Sequence, residues 1–314
     1  VQMATGEISD DESLGGAKMH SEVSGFSDYL AEDEMDALRI CRNVVNHLNL
    51  VKRSDFDLRQ YKEPKHDSEA LLGLFSEDLK EQVDIREVIM RFVDDSRFEE
   101  FKPLYGSTMV CGWANVFGYP IGILGNNGPI YPETAEKSAS FIQLCNQTST
   151  PLVFLHNVTG FLVGKEYERQ AIIKKGSQMV NAVSNSIVPK ITLIVGGSYG
   201  AGNYAMSGKA YDPSFIFAWP NSKIAVMGGD QAAKTLTSLK ISKLGKISSE
   251  EKNSIYNNIK DKYDKQSQIT YGAARLWVDD IIEPKDTRLI LIRSLKIVNN
   301  SDLNKKPNYG VFQV

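Results

Sequence analysis

Between residues 108 and 233 apolar runs of strand length alternate with helical stretches, and this alternation restricts the fold more than any other feature of the chain. Residues 108–117 and 120–124 read as two strands joined at Gly118-Tyr119. A helix is expected over 135–146, a strand over 151–156, one long helix over 166–186, and a strand over 191–195. A helix over 201–208, strands over 215–219 and 223–227, and a helix from Asp230 complete the series. Strands separated by helices of this length predict an α/β domain with parallel strands and right-handed crossovers.

Within that pattern, Val195-Gly-Gly-Ser-Tyr-Gly-Ala-Gly-Asn-Tyr-Ala-Met206 reads as a strand, a glycine turn and a helix start. If the helix begins near Gly200, its first N–H groups lack an intrahelical partner, and the helix dipole favours negative charge beside them. The turn is suited to an oxyanion. A tight strand-to-helix packing turn is the competing reading. The motif is not G-x-G-x-x-G, because Ala205 stands at the last position, and no Gly-Lys-Ser/Thr follows to make a phosphate loop. Gly196-Gly-Ser-Tyr-Gly200 does match the G-x-S-x-G elbow of serine hydrolases. That triad runs serine, acid, histidine, whereas all four histidines precede Ser198, so the match argues weakly for a nucleophile.

A second glycine-bearing loop, Thr159-Gly160-Phe161, also follows a strand, and a third turn, Val226-Met227-Gly228-Gly229, repeats the small-residue theme. Two such loops at the carboxyl ends of neighbouring parallel strands offer backbone donors in place of side-chain acids. The third closes a pocket or simply packs. His156, at the end of an apolar strand, reads as a satisfied structural histidine before a catalytic one. Glu166 and Glu168 are the carboxylates nearest the loops, where a free-standing isomerase or hydratase would need one.

Composition narrows the alternatives. The 314 residues are 42% apolar and 24% charged with net charge −3, which gives no electrostatic footprint for nucleic acid, and no run reaches membrane-spanning length. Cys41, Cys111 and Cys145 are widely spaced and lack metal-ligand spacing, so no metal site is expected and the thiols read as reduced and buried. Outside the alternating region, helices are expected over 32–50, over 84–92 with Asp84 as N-cap, and over 287–297. A Lys/Ser/Asn-rich segment at about 234–268 reads as a solvated, partly helical insertion.

Four long motifs, in order, carry a family resemblance. They are Gly118-Tyr-Pro-Ile-Gly-Ile with Gly125-Asn-Asn-Gly128, residues 157–168, residues 189–204, and Ala218-Trp-Pro-Asn221 with Val226-Met-Gly-Gly229. Together with Leu14-Gly-Gly-Ala17 and residues 280–288 they resemble the carboxyltransferase subunit of biotin-dependent acyl-CoA carboxylases over nearly the whole chain. Within that family they are most similar to the 3-methylcrotonyl-CoA carboxylase β-subunit branch. The geranyl-CoA and propionyl-CoA branches are alternatives, as is a non-catalytic module that docks a biotin carrier.

The resemblance implies a crotonase-type (ClpP/crotonase-like) fold of ββα units. It implies transfer of CO2 from carboxybiotin to 3-methylcrotonyl-CoA, giving 3-methylglutaconyl-CoA in leucine degradation. By motif position, Ala201 and Gly202 N–H groups would form the oxyanion site for biotin, and Thr159, Gly160, Phe161, Tyr199, Gly200, Met227, Gly228 and Gly229 would surround the cofactor. No metal is implied. Biotin would arrive on the α subunit, acyl-CoA would be the substrate, and ATP would be used only by the partner. The partners implied are that α subunit and further β subunits, a dimer within an α6β6 assembly, and neither nucleic acid nor membrane. The location implied is the mitochondrial matrix in a eukaryote or the cytoplasm in a bacterium. Residues 1–28 would be the tail of a preceding N-terminal carboxyltransferase domain and 29–314 the C-terminal, biotin-side domain, inactive as an isolated fragment.

Overall fold

The structure, a computed structural model, describes residues 1–47, 61–74, 83–244, 248–299 and 308–310. Three short helices, α1 (Gln2–Thr5), α2 (Asp11–Gly15) and α3 (Ala17–Glu22), precede α4 (Glu34–His47). Glu34 and Asp36 occupy the first turn of α4, where the dipole favours acids. The end expected for this helix near Leu50 lies outside the described residues. Helix α5 (Ile85–Ile89) starts where the Asp84 carboxylate accepts a hydrogen bond from the Arg86 N–H at 3.0 Å, the cap read from sequence, and stops three residues sooner than expected.

One sheet organises the rest. Its strands are β1 (Glu99–Phe101), β2 (Met109–Val116), β3 (Tyr119–Asn126), β4 (Leu152–Val158), β5 (Lys190–Tyr199), β6 (Phe215–Ala218), β7 (Lys223–Ala225) and β8 (Asp280–Ile281). They run in the order β1-β2-β3-β4-β5-β6-β8, with β7 also paired to β5. The β1–β2 and β2–β3 pairs are antiparallel and every later pair is parallel. The β2–β3 hairpin turns through Phe117 and Gly118, both at positive φ, as two-residue turns that match strand twist require. Both amides donate to the Asp94 carboxylate at 2.8 Å.

The remaining helices are α6 (Pro132–Gln147), α7 (Lys165–Arg169), α8 (Ile172–Ser184), α9 (Gly200–Ala205), α10 (Gly229–Leu244), α11 (Ser249–Ser267), α12 (Ile269–Ala273) and α13 (Thr287–Val298). Period-two alternation along the central strands sorts side chains onto two faces. Val153, Leu155, Ile191, Leu193 and Val195 pack with Ile85 and Ile89 of α5 and Leu291 and Leu295 of α13. Leu152, Phe154 and Val158 pack on the other face with Phe141, Met179, Val183, Ala205 and Met206. Each fully buried aliphatic side chain contributes about 1.5–3 kcal/mol, which is what presses both helix layers onto the sheet.

Three expectations need correction. The strand expected over 191–195 continues to Tyr199, so Gly196 and Gly197 belong to β5 and not to the turn. His156 pairs with Ile194 while Val158 pairs with Ser198, so three residues of β5 stand opposite Asn157 alone, and the two glycines lie inside that bulge. The long helix expected over 166–186 is broken: Ala171, at φ 64°, separates α7 from α8. No residue of α7 is buried, so the chain turns at Ala171 to bring Ile172 into the core. The segment expected to be partly helical over 234–268 is a helical hairpin, α10 and α11, with a Ser248/Glu251 capping box opening the second helix.

The cysteines are divided. Cys111 and Cys145 are buried, and burial pushes the Cys111 thiol up to about 12, but Cys41 is exposed. Residues 1–28 are tied to the sheet domain through Lys102, whose Nζ donates to the Gly25 carbonyl at 2.5 Å and pairs with Asp28 at 2.7 Å.

Candidate functional site

The carboxyl ends of β4 and β5 are neighbours, and the loops that leave them meet. Tyr199 is the last residue of β5 and the N-cap of α9, and Gly200 opens the helix at φ 55°, a conformation that favours glycine. The N–H groups of Gly200, Ala201 and Gly202 fall in the first turn, where no helix carbonyl reaches them, and no side chain caps this end. Ala201 is exposed and Gly202 buried. A Cβ on Gly202 would lie 2.7 Å from Val158 Cγ2 and 3.1 Å from Gly160 Cα, closer than side chains pack. Glycine at 202 is therefore what lets the first turn of α9 touch the loop after β4.

That loop is fixed from the far side. Ile130 N–H donates to the Gly160 carbonyl and Leu162 N–H to the Ile130 carbonyl, both at 3.0 Å, which pairs Phe161 with Ile130 as a short parallel bridge. Thr159 is exposed at the end of β4, and the Phe161 ring packs beside Gly176 of α8. The third turn joins from the opposite flank. Because β7 pairs with Gly197, Ser198 and Tyr199 of β5, the turn through Val226, Met227 and Gly228 emerges beside Gly200. A Cβ on Gly200 would stand 3.0 Å from the Val226 carbonyl oxygen. Gly229 begins α10. All the loop residues singled out from sequence thus lie on three turns gathered around the start of α9.

A buried hydrogen-bond chain holds α9 in place, and sequence reading missed it as a unit. His156 Nε2 lies 2.5 Å from the Met206 carbonyl oxygen, an obligate acceptor, so that nitrogen carries the proton. Nδ1, 2.8 Å from Ser198 Oγ, then accepts from the serine hydroxyl, and Ser198 Oγ accepts from Asn203 Nδ2 at 2.8 Å. Burial depresses the His156 pKa to about 4, which keeps the ring neutral. Thr192 Oγ1 adds a further bond at 2.7 Å, to the Ser207 carbonyl. The middle and the C-terminal end of the helix are thereby tied to the strands beneath it.

The same chain disposes of the hydrolase reading on grounds other than sequence order. Ser198 does have a histidine partner, but serine and imidazole are both 0% exposed, and the hydroxyl is turned inward between Asn203 and His156. Glu166 and Glu168 sit exposed in the first turn of α7. Among the described residues no group of three His, Cys, Asp or Glu side chains is arranged to hold a metal ion, and no helix is long and apolar enough to cross a membrane.

What the arrangement offers is backbone donors with room beside them. A Cβ on Gly160 or on Gly228 would meet nothing within 4 Å, so each of the neighbouring loops has open space at its own glycine.

Uncapped backbone N–H groups and glycine turns thus stand at the carboxyl ends of parallel strands in a mixed α/β fold. The chain belongs to the carboxyl transferase domain family, whose match covers residues 1–310. It is 46% identical to the mitochondrial methylcrotonoyl-CoA carboxylase beta chain of Dictyostelium discoideum, over all of this chain and 54% of that protein. Among solved structures, it matches the geranyl-CoA carboxylase beta subunit of P. aeruginosa at 45% identity and TM-score 0.73, over 99% of this chain and 59% of that one. The transcarboxylase 12S hexamer, solved with methylmalonyl-coenzyme A bound, matches at 29% identity and TM-score 0.88, over 100% of this chain and 61% of that one. The chain therefore spans a little over half the length of these relatives.

Proposed function

We propose that the chain supplies the biotin side of a carboxyltransferase site, with the Ala201 and Gly202 N–H groups as donors and Thr159, Gly160 and Phe161 as the facing wall. The observation that supports this reading is the approach of Gly202 to Gly160, which sets two backbone loops against each other while the Cβ position of Gly160 itself stays open. Biotin bound there brings the carboxyl group and, once it is released, a base for the acyl-CoA carbon. The task left to the protein is to orient the group, exclude water and stabilise negative charge on the ureido oxygen. Removing one such donor typically lowers the rate by about 100-fold to 1,000-fold. A site that needs no side-chain base agrees with the inward-turned Ser198 and His156.

The substrate we assign is 3-methylcrotonyl-CoA, carboxylated to 3-methylglutaconyl-CoA, in keeping with the Dictyostelium relative's name. Geranyl-CoA is the second reading, favoured by the 45% identity to a geranyl-CoA carboxylase subunit. Biotin would be carried by an α subunit that alone uses ATP, in an α6β6 assembly placed in the mitochondrial matrix of a eukaryote or the cytoplasm of a bacterium. Residues 1–28, which lie outside the sheet and reach it through Lys102, we assign to the tail of a preceding domain that holds the acyl-CoA half of the site, and 29–314 to the biotin-side domain. The test is carboxylation by the full-length subunit with its biotin-carrying partner, comparing 3-methylcrotonyl-CoA, geranyl-CoA and propionyl-CoA. Preference for the first, by kcat/KM, is the expected outcome; preference for geranyl-CoA would move the assignment to the second reading, and no turnover with any would reject it.

A further inference from the structure

Helix α11 comes from the segment whose role the sequence left open, yet it reaches the third turn of the candidate site. A Cβ on Gly229, the first residue of α10, would lie 2.0 Å from Asp264 Oδ1 and 2.8 Å from Asp264 Cγ, so the Asp264 carboxylate stands directly over that backbone. Lys260, one turn earlier on α11, holds it there at 2.6 Å, and the same ammonium reaches Asp230 at 3.9 Å. One turn earlier again, the Tyr256 hydroxyl donates to Asp230 Oδ1 at 3.0 Å. Tyr256, Lys260 and Asp264 recur every four residues and thus share one face of the helix. That face grips the first turn of α10. The C-terminal end of α11, one turn beyond Asp264, is anchored as well, because Gln268 bridges Lys223 of β7.

The grip has a path to the donor turn. Strand β7 is laid along Gly197, Ser198 and Tyr199, and the Val226 carbonyl is packed against Gly200. Between β7 and α10 only Val226, Met227 and Gly228 are left, so the turn is held at both ends by elements that α11 touches. The Asp264 charge also reaches Tyr199, whose phenol is pushed up first by burial and then by that carboxylate.

We propose that Asp264, held by Lys260, is a positioning residue for the donor turn: it fixes the start of α10 over Gly229, and through the Val226 to Gly228 turn it sets Gly200 and the N–H groups of Ala201 and Gly202. The catalytic consequence rests on the biotin-side reading above, whereas the structural coupling does not.

Hydrogen exchange and kinetics on the full-length subunit in its complex separate the two. In Asp264→Ala, amides of residues 226–230 and of residues 199–203 should exchange about 5-fold to 10-fold faster, with amides of β2 and β3 unchanged. The biotin-dependent kcat should fall by about 10-fold while the acyl-CoA KM stays constant. Asp264→Asn, which keeps an acceptor for Lys260, should recover most of both effects, and Lys262→Ala, on an exposed position of α11, should match wild type. Gly229→Ala should mimic Asp264→Ala by displacing the carboxylate, and should add nothing in the Asp264→Ala background. Faster exchange at 226–230 with none at 199–203 would overturn the proposal, as would additive effects of Gly229→Ala and Asp264→Ala. A wild-type subunit that transfers no carboxyl group would reject the biotin reading alone, leaving the exchange result to decide the coupling.

Discussion

Gly202 and His156 show how single residues set the site. A methyl group on Gly202 meets Val158 and Gly160 at 2.7 and 3.1 Å, and the second of these contacts is backbone that cannot rotate away. Gly202→Ala should therefore separate the two loops, lowering biotin-dependent transfer by about 100-fold or more while costing about 1–3 kcal/mol in stability; kinetics and urea denaturation measure the two. His156 contributes through its neutrality. Its folded pKa of about 4 lies below the ordinary 6.5, so the unfolded chain binds the proton more readily. The stability it contributes is present above pH 6.5 and is lost as pH falls from 6.5 toward 4, amounting to about 3 kcal/mol. Denaturation midpoints across that window should fall less steeply in His156→Gln than in wild type. The meeting of the glycine-bearing loops was legible in the sequence because glycine marks close backbone approach. It did not reveal the chain from Asn203 through Ser198 to His156, since a buried hydroxyl and a nucleophilic one occupy the same Gly-x-Ser-x-Gly pattern.

At the level of elements, the strands and their order of alternation were readable from apolar runs, and the misreadings share one cause. Periodicity reports which residues are apolar, not where backbone direction changes. The break between α7 and α8 falls at Ala171, which is neither glycine nor proline, so nothing local announces it. An alanine at φ 64° is strained by about 1 kcal/mol. Ala171→Gly should stabilise the chain by up to about 0.6 kcal/mol, after the cost of a looser unfolded state, raising the urea midpoint slightly without changing its slope. The extension of β5 to Tyr199 escaped for a related reason: Gly196 and Gly197 look like a turn, yet the bulge opposite Asn157 keeps them in the sheet. A third element depends on charge. Asp94 accepts from both amides of the β2–β3 turn at 2.8 Å and pairs with Arg288 at 2.8 Å, each side chain being 10% exposed. Asp94→Ala leaves that guanidinium without its buried partner and should cost about 3–5 kcal/mol by denaturant titration.

Across the whole molecule, the sheet brings three turns to one edge of the strands, and the helical hairpin of α10 and α11 supports the third of them from outside. The family could be read from ordered motifs, but the hairpin's contact with the site could not, because Asp264 is 35 residues from Gly229 and lies in a segment whose composition signals only solvent. The central claim is that the backbone at Ala201 and Gly202 stabilises the biotin oxyanion. Its most direct test is the partial reaction, transfer of the carboxyl group from 3-methylglutaconyl-CoA to free biotin, run on the full-length subunit beside Gly202→Ala with acyl-CoA affinity measured in parallel. The account predicts measurable transfer by wild type and a loss of about 100-fold or more in the variant, at unchanged acyl-CoA affinity. Equal transfer by the two proteins would contradict it.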